Sequence, residues 1–532
     1  MKTLILILGM MAAMGTATAE PYDVSEKSIA TLQADLSAGR VTSAELVRAY
    51  IARIDKIDRS GPSLHSVIAL NPNALNDARA LDAERKEKGA RGPLHGIPIL
   101  VKDNIETADP VATTAGSLAL AGNITHRDSP AVARLRAAGV VILGKTNLSE
   151  WANIRSSHSM SGWSAIGGLT RNPYVLDRSA CGSSSGSGSA VAASLAAAAL
   201  GSETDGSLVC PGSINGIVAL KPTVGLVART HIIPISHSQD TAGPMARSVA
   251  DAALLLSVMA GSDVDDAASG EADARKQDYS AALAAASLKG KRLGVIAPDP
   301  DALPSDTDKV FATAVAALKS AGAEIVEIHN FVPPAPELGA SELTVLGFEL
   351  KHDLNAYFAS LPPGGAIKTL ADVIAFNNTS PRETVLFGQD IFEKAQSLGD
   401  LSDPAYIKAR DSLRKFSRDT LDKLIAENHL DALIRSTDDA SFRFDVIKGD
   451  NDSSNSSFLP ATAGYPHLTV PMGYVQGLPV GLSFVGPAWS EAALLALGHA
   501  FEQATAARKP PHYLPSLEGT PEMAQAFQPA AK

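Results

Sequence analysis

Cysteine is nearly missing from this chain: of 532 residues, only Cys181 and Cys210 are cysteine. Two thiols cannot form the framework of a disulfide-stapled domain, and no Cys/His spacing around them resembles a zinc site. A single bond between them would need an oxidising compartment; two buried free thiols fit the sequence equally well. Long apolar runs are scarce too. The run Thr3 to Met14 is shorter than the ~20 residues that span a bilayer, no other segment comes close, and no membrane anchor is expected. Basic residues are outnumbered, 46 Lys and Arg against 57 Asp and Glu for a net charge of −11, which argues against a nucleic-acid partner. No internal repeat is visible.

The beginning of the chain has the form of an export signal. Lys2 precedes the apolar run, and Ala17-Thr18-Ala19 has the small-x-small pattern of a signal-peptidase site. Residues 1–19 therefore read as a signal peptide, with the mature chain starting at Glu20 in the periplasm or outside the cell. The length that remains would accommodate several domains or one large α/β unit. The reading adopted is one catalytic domain over residues 20–532, with a mostly helical region at about 331–431 covering the site.

Strand and helix signals alternate along the mature chain, as in α/β folds. Thr42-Ser43-Ala44-Glu45 is a capping box opening a helix, and a second helix is expected from Asn73 to Lys88. Leu94 to Val101 reads as an apolar strand ending on Lys102, and a lysine there either leaves the core for water or is a buried amine with a depressed pKa. Pro130 to Ala138 is helical in pattern and Val140 to Leu143 a strand. Lys145 follows in Gly144-Lys145-Thr146, which lacks the upstream glycine of a phosphate loop and is read as structural. Short strands are expected at Ile217–Leu220, Gly225–Val227, Leu293–Ile296, Ile325–Ile328, Leu468–Pro471 and Val480–Val485. Helices are expected at Val249–Met259, Asp308–Ala321 and Glu491–Thr505. Asp263, Asp265 and Asp266 read as solvated loop acids, and no metal is called for.

The stretch from Cys181 to Val209, CGSSSGSGSAVAASLAAAALGSETDGSLV, is the most informative. Two Gly/Ser turns bracket a run of Ala, Ser, Val and Leu from Ser189 to Leu200 that suits a tightly packed helix. Gly182, Gly186, Gly188 and Gly206 are expected to take positive φ and to turn backbone amides toward one point, the geometry of an oxyanion site. A reactive serine is the natural candidate. Gly182-Ser183-Ser184-Ser185-Gly186 also satisfies G-x-S-x-G with Ser184 as nucleophile, but no apolar strand leads into it as a nucleophile elbow requires.

Five ordered blocks carry a family resemblance: HGIPILVKDNI around Lys102, VARLRAAGVVILGKTN, NPYVLDRSACGSSSGSGSAVA, ETDGS and DTAGPMARSVADAALLL. With these the chain resembles the amidase-signature hydrolases over nearly its whole mature length. That resemblance implies a mixed, twisted central sheet covered by helices on both faces. It also implies a catalytic set of a lysine base, a bridging serine in a cis peptide and a nucleophilic serine 24 residues further on. Carried over by position, these are Lys102, Ser183 and Ser207, with the amides of Thr204, Asp205, Gly206 and Ser207 as the oxyanion hole. No cofactor is implied. CGSSSGSG and ETDGSLVCP, with the signal peptide, resemble the bacterial peptide amidases in particular, which implies release of ammonia from C-terminal peptide amides; a monomer is expected. The chain departs from the commoner pattern at Asp205, where glycine is usual, and at Val209, where arginine is frequent. Other readings are an amidase of other amides, a G-x-S-x-G esterase, a binding protein that has lost catalysis, and the amide-transferring subunit of a tRNA-dependent amidotransferase.

Overall fold

The computed structural model describes residues 22–297, 303–329, 331–451 and 456–529, so the expected signal peptide lies outside the described residues. Strands from all along the chain join in one sheet: β1 Val67–Leu70, β2 Pro98–Lys102, β3 Val141–Thr146, β4 Ala198–Glu203, β5 Val218–Lys221, β6 Thr241–Ala246, β7 Arg292–Ile296, β8 Glu324–Ile328, β9 Ala432–Ser436, β10 His467–Val475 and β11 Leu478–Val485. Their order across the sheet is β1-β3-β2-β4-β6-β5-β10-β11-β9-β7-β8. The sheet is mixed as expected. β3, β2 and β4 run parallel to their neighbours in that group, and β7 runs parallel to β8 and β9, while pairs such as β4–β6 and β10–β11 are antiparallel.

Helices pack around the sheet. The box at Thr42 forms as expected, the Thr42 side chain accepting from the Glu45 amide while the Glu45 carboxylate accepts from the Thr42 amide, and the helix it opens is Ser43–Arg53. Such a cap is worth about 1 kcal/mol. Helices also occupy Ala74–Lys88, Pro130–Ala137, Val249–Met259, Asp306–Ser320 and Glu491–Thr505, within two residues of the expected bounds. The 331–431 region is helical, with Pro336–Ser360 and Pro404–Glu427 as its longest members. The first of these reaches the site described below.

Four expectations are corrected. The run from Ser189 to Leu200 is not one helix: a helix covers Ser185–Ala192, the chain reverses at Ser194 with φ 55°, and β4 starts at Ala198. An Ala/Val/Leu run has no period that separates a buried helix from a buried strand. Here distant side chains decide, because Arg53 takes the carbonyls of Ala193 and Ser194, and Arg247 those of Val191 and Ala196. Secondly, Gly182, Gly186 and Gly188 do not take positive φ; only Gly206 of the four does, at 78°. The other three are required by close approach, since a Cβ on Gly186 would lie 2.4 Å from the Ser66 carbonyl and one on Gly182 2.1 Å from Ser149 Oγ. Thirdly, Gly225–Val227 forms only isolated bridges, whereas Thr241–Ala246 is a full strand. Lastly, Asp266 is not a solvated acid, because it is buried and pairs with Arg229 at 2.7 Å.

Candidate active site

β2 ends on Lys102, and the side chain points to the face of the sheet shared with β4 and the serine turns. It is fully buried. Its Nζ lies 2.8 Å from Ser183 Oγ, 2.9 Å from Ser202 Oγ and 3.1 Å from the Ser202 carbonyl. Among the described residues no carboxylate forms an ion pair with it. Burial lowers its pKa to about 7, against the opposing pull of Glu203 and Asp240. The strand-end lysine is thus the buried amine of the two options left open by the sequence.

The cage around that amine suits its neutral form. A carbonyl can only accept, so the Ser202 oxygen takes one N–H; each hydroxyl can give or take. Ser202 Oγ already accepts from Asn104 Nδ2 at 2.9 Å, which leaves its own proton free to point at the lysine lone pair. Neither Ser202 nor Asn104 was marked by the sequence as a site residue. Both are placed by register: Val101 of β2 pairs with Leu200 of β4, so Ser202 arrives beside the last residues of β2.

Ser183 follows a cis peptide bond after Gly182, as the family resemblance implies, and its hydroxyl joins the lysine. Ser184 lies apart from this group. It is fully buried and donates its hydroxyl to the Ser202 carbonyl at 3.0 Å, while its amide donates to the Ser207 carbonyl at 3.1 Å. Ser207 retains 7 % exposure. That contrast removes the esterase assignment, because a nucleophile with no exposed surface and a committed hydroxyl cannot meet a substrate.

The turn from Thr204 to Ser207 leaves β4 and enters the helix Val209–Ile214. The Glu203 carboxylate closes it, accepting from the amides of Leu208 at 2.7 Å and Val209 at 3.1 Å. Among the described residues, nothing accepts from the amides of Asp205, Gly206 and Ser207. The Thr204 hydroxyl donates to Asp240 at 2.6 Å. Asp205 is not in a left-handed conformation. Its half-buried carboxyl accepts from Ser457 and contacts Glu342 of the helix Pro336–Ser360, and loss of hydration pushes its pKa up. Glu342 in turn accepts from Gln239 at 2.8 Å. The residue that departs from the commoner pattern therefore ties the turn to the helical cover. Val209 sits buried in the helix that follows.

Lys145, the other candidate lysine, faces the opposite side of the sheet, 3.5 Å from Asp103 and within 2.8 Å of Thr113 Oγ1. Cys181 and Cys210 form a disulfide that joins the two serine turns. A cavity of about 350 Å³ opens beside the site; Asn104, Ser183, Ser202 and Thr204 form its inner wall and Asp353 and Tyr357 belong to its cover, while Ser207 is not part of the wall.

The mixed sheet carries a buried lysine among serine hydroxyls, with no ion pair among the described residues, beside a turn whose amides no described residue takes up, and such a set of groups suits amide hydrolysis. The chain belongs to the amidase family: the family profile matches residues 45–495. It is 38% identical to a probable amidase of Arabidopsis thaliana, over 96% of this chain and 97% of that protein. Among solved structures it is similar to the peptide amidase of Stenotrophomonas maltophilia, with a TM-score of 0.87 and 49% identity over 92% of this chain and 99% of the other. An amidase family protein of Bacillus anthracis is also similar in structure, with a TM-score of 0.82 and 35% identity over 92% of this chain and 93% of the other.

Proposed function

We propose that the enzyme hydrolyses the C-terminal carboxamide of peptides through an acyl-enzyme, with Lys102 as base, Ser183 as proton bridge and Ser207 as nucleophile. The observation that carries this reading is the fully buried Lys102 amine, held by hydroxyls and a carbonyl with no ion-pair partner among the described residues. Serine at its own pKa is a weak nucleophile and needs a neighbouring acceptor. Neutral Lys102 takes the Ser183 proton while Ser183 takes that of Ser207, whose oxygen attacks the amide carbon. The oxyanion meets the amides of Thr204, Asp205, Gly206 and Ser207, each such donor being worth about 3 kcal/mol. The proton then returns along the same path to the leaving nitrogen, and the C–N bond breaks to release ammonia. Water repeats the sequence on the ester and frees the carboxylate.

Likeness to a peptide amidase at 49% identity favours peptide amides over other amides. The test is ammonia release by the purified chain from peptide amides, simple aliphatic and aromatic amides, and glutamine. Peptide amides should be preferred; a preference of orders of magnitude for glutamine or an aliphatic amide would refute the substrate assignment. Ser207→Ala should abolish turnover and labelling by a serine-directed phosphonate, whereas Ser184→Ala should leave a measurable enzyme.

Export to the periplasm or beyond, with Glu20 as first residue, and action as a monomer complete the proposal. The disulfide supports the former, since such bonds persist in oxidising compartments. Intact mass and light scattering on protein from the native host test both, and recovery of the full-length chain from the cytosol would contradict export.

A further inference from the structure

The cavity beside the serines has a second group of reactive side chains in its wall. His237 lies on the loop after β5, and His352 and Asp353 lie on the helix Pro336–Ser360. One ligand atom from each falls within 4.8 Å of the others. His237 Nδ1 is 2.9 Å from Asp353 Oδ2 and 3.1 Å from Oδ1, and His352 Nδ1 is 2.8 Å from Oδ1. Both imidazoles thus turn the same ring nitrogen toward one carboxylate. His237 and Asp353 line the cavity.

His237 is held from its far side as well. Its Nε2 lies 3.4 Å from the Glu349 carboxylate. Glu349 is itself buried and fixed by the hydroxyls of Ser236, Ser238 and Tyr406, the last two at 2.5 and 2.7 Å. With an acceptor at each nitrogen, the free ring satisfies both only as the imidazolium. A metal ion at Nδ1 would replace one of those protons and leave Nε2–H on Glu349, the carboxylate-backed arrangement by which protein sites fix a histidine ligand's tautomer.

We propose that His237, His352 and Asp353 bind a divalent transition-metal ion of the zinc class at the wall of the cavity, and that the bound ion inhibits the enzyme. Two imidazoles and a carboxylate are a donor set for such ions, and three protein ligands leave a coordination position for water. A tetrahedral zinc ion with bonds of about 2.0–2.1 Å spaces its ligand atoms roughly 3.3 Å apart. The observed N···O spacings of 2.8 to 3.1 Å therefore need to widen by only a few tenths of an ångström. Arg229, also in the cavity wall, is the nearby opposing charge, and Asp266 pairs with it at 2.7 Å. Because the ion shares the cavity with Ser183 and Thr204, it narrows the approach to them.

The test uses tag-free, chelator-stripped full-length protein titrated with Zn²⁺ by calorimetry near pH 8, where fewer protons compete with the ion for imidazole nitrogen. One equivalent should bind, and His352→Ala, a change at an exposed side chain, should weaken binding by about 10-fold or more. His329→Ala, at an exposed histidine outside the cluster, should not. Zinc should also slow ammonia release by the wild type and spare His352→Ala. Absence of saturable binding at sub-millimolar zinc, or binding that His352→Ala and Asp353→Asn leave unchanged, overturns the site. An unaltered rate with zinc bound overturns the inhibition. That last arm rests on the amidase reading; the calorimetry does not.

Discussion

The two faces of the β2–β3 pair each bury a lysine completely, and the pockets that receive them are built differently. Lys145 meets Asp103 at 3.5 Å, with the Ile105 carbonyl at 2.5 Å and Thr113 Oγ1 at 2.8 Å. Asp103 is braced in turn by the Thr114 hydroxyl and amide. Among the described residues Lys102 meets only uncharged oxygens. Burial lowers both amines, but at Lys145 the adjacent carboxylate pulls the other way through direct contact, whereas at Lys102 the opposing acids, Glu203 and Asp240, act only at a distance. A lysine with a counter-ion is cross-bracing. A lysine without one, in the function proposed above, is a base kept ready.

The sharpest break of that comparison is in turnover. Lys102→Met and Lys102→Arg should each lower kcat/KM by about 10²–10⁴-fold, the range of a lost general base, since guanidinium cannot give up its proton. Lys102→Met should melt no lower than the wild type, because it removes a desolvated amine rather than a paired one. An active Lys102→Arg enzyme would end the neutral-lysine mechanism. Next in size is Lys145→Met, which strands the buried Asp103 carboxylate and should cost about 3–5 kcal/mol of stability. The readout is chemical unfolding, and the companion Lys145→Met/Asp103→Leu double variant should recover much of the loss.

The pH dependence separates the two lysines further. Protonated Lys102 cannot accept a proton, so kcat/KM should rise through about pH 7, its depressed pKa, and level off above it. For stability the sign runs the same way. The unfolded lysine keeps its proton up to its ordinary value, so between about 7 and 10.5 the unfolded state binds more protons and this group's contribution to stability grows with pH. Lys102→Met should therefore gain most over the wild type at acid pH. The smallest effect belongs to Ser202→Ala, which keeps the carbonyl but removes one hydroxyl from the cage. One hydrogen bond of about 1 kcal/mol corresponds to roughly a 5-fold loss in rate, and the midpoint of the pH profile should move with it.

Much of the scaffold could be read locally. The Thr42 box, the helix Ala74–Lys88 and strand β2 have the caps, periods and β-branched content that define such elements within a few residues of sequence. The ends of the Ser189–Leu200 run could not, because small apolar residues suit either element and the choice is made by Arg53 and Arg247, which are distant in sequence. The glycines of the serine turn answer to crowding that no local pattern shows: Gly186 is required by the Ser66 and Asn147 backbones that press on it, not by its own φ. Ser202 lies outside the quoted blocks, and Asn104 lies inside one of them with nothing local to single it out. His237 and His352, 115 positions apart, had nothing in the sequence to join them.

By itself the sequence determined the alternation of elements, the family and which lysine and serines to examine, because caps, periodicity and motif spacing are properties of short stretches of chain. Only the tertiary structure decided that Lys102 has no ion pair among the described residues while Lys145 is paired, that Ser184 is sealed while Ser207 is not, and that Asp205 reaches the helical cover. Desolvation and charge pairing are summed over neighbours in space, and the neighbours here come from strands and helices whose register no local pattern records.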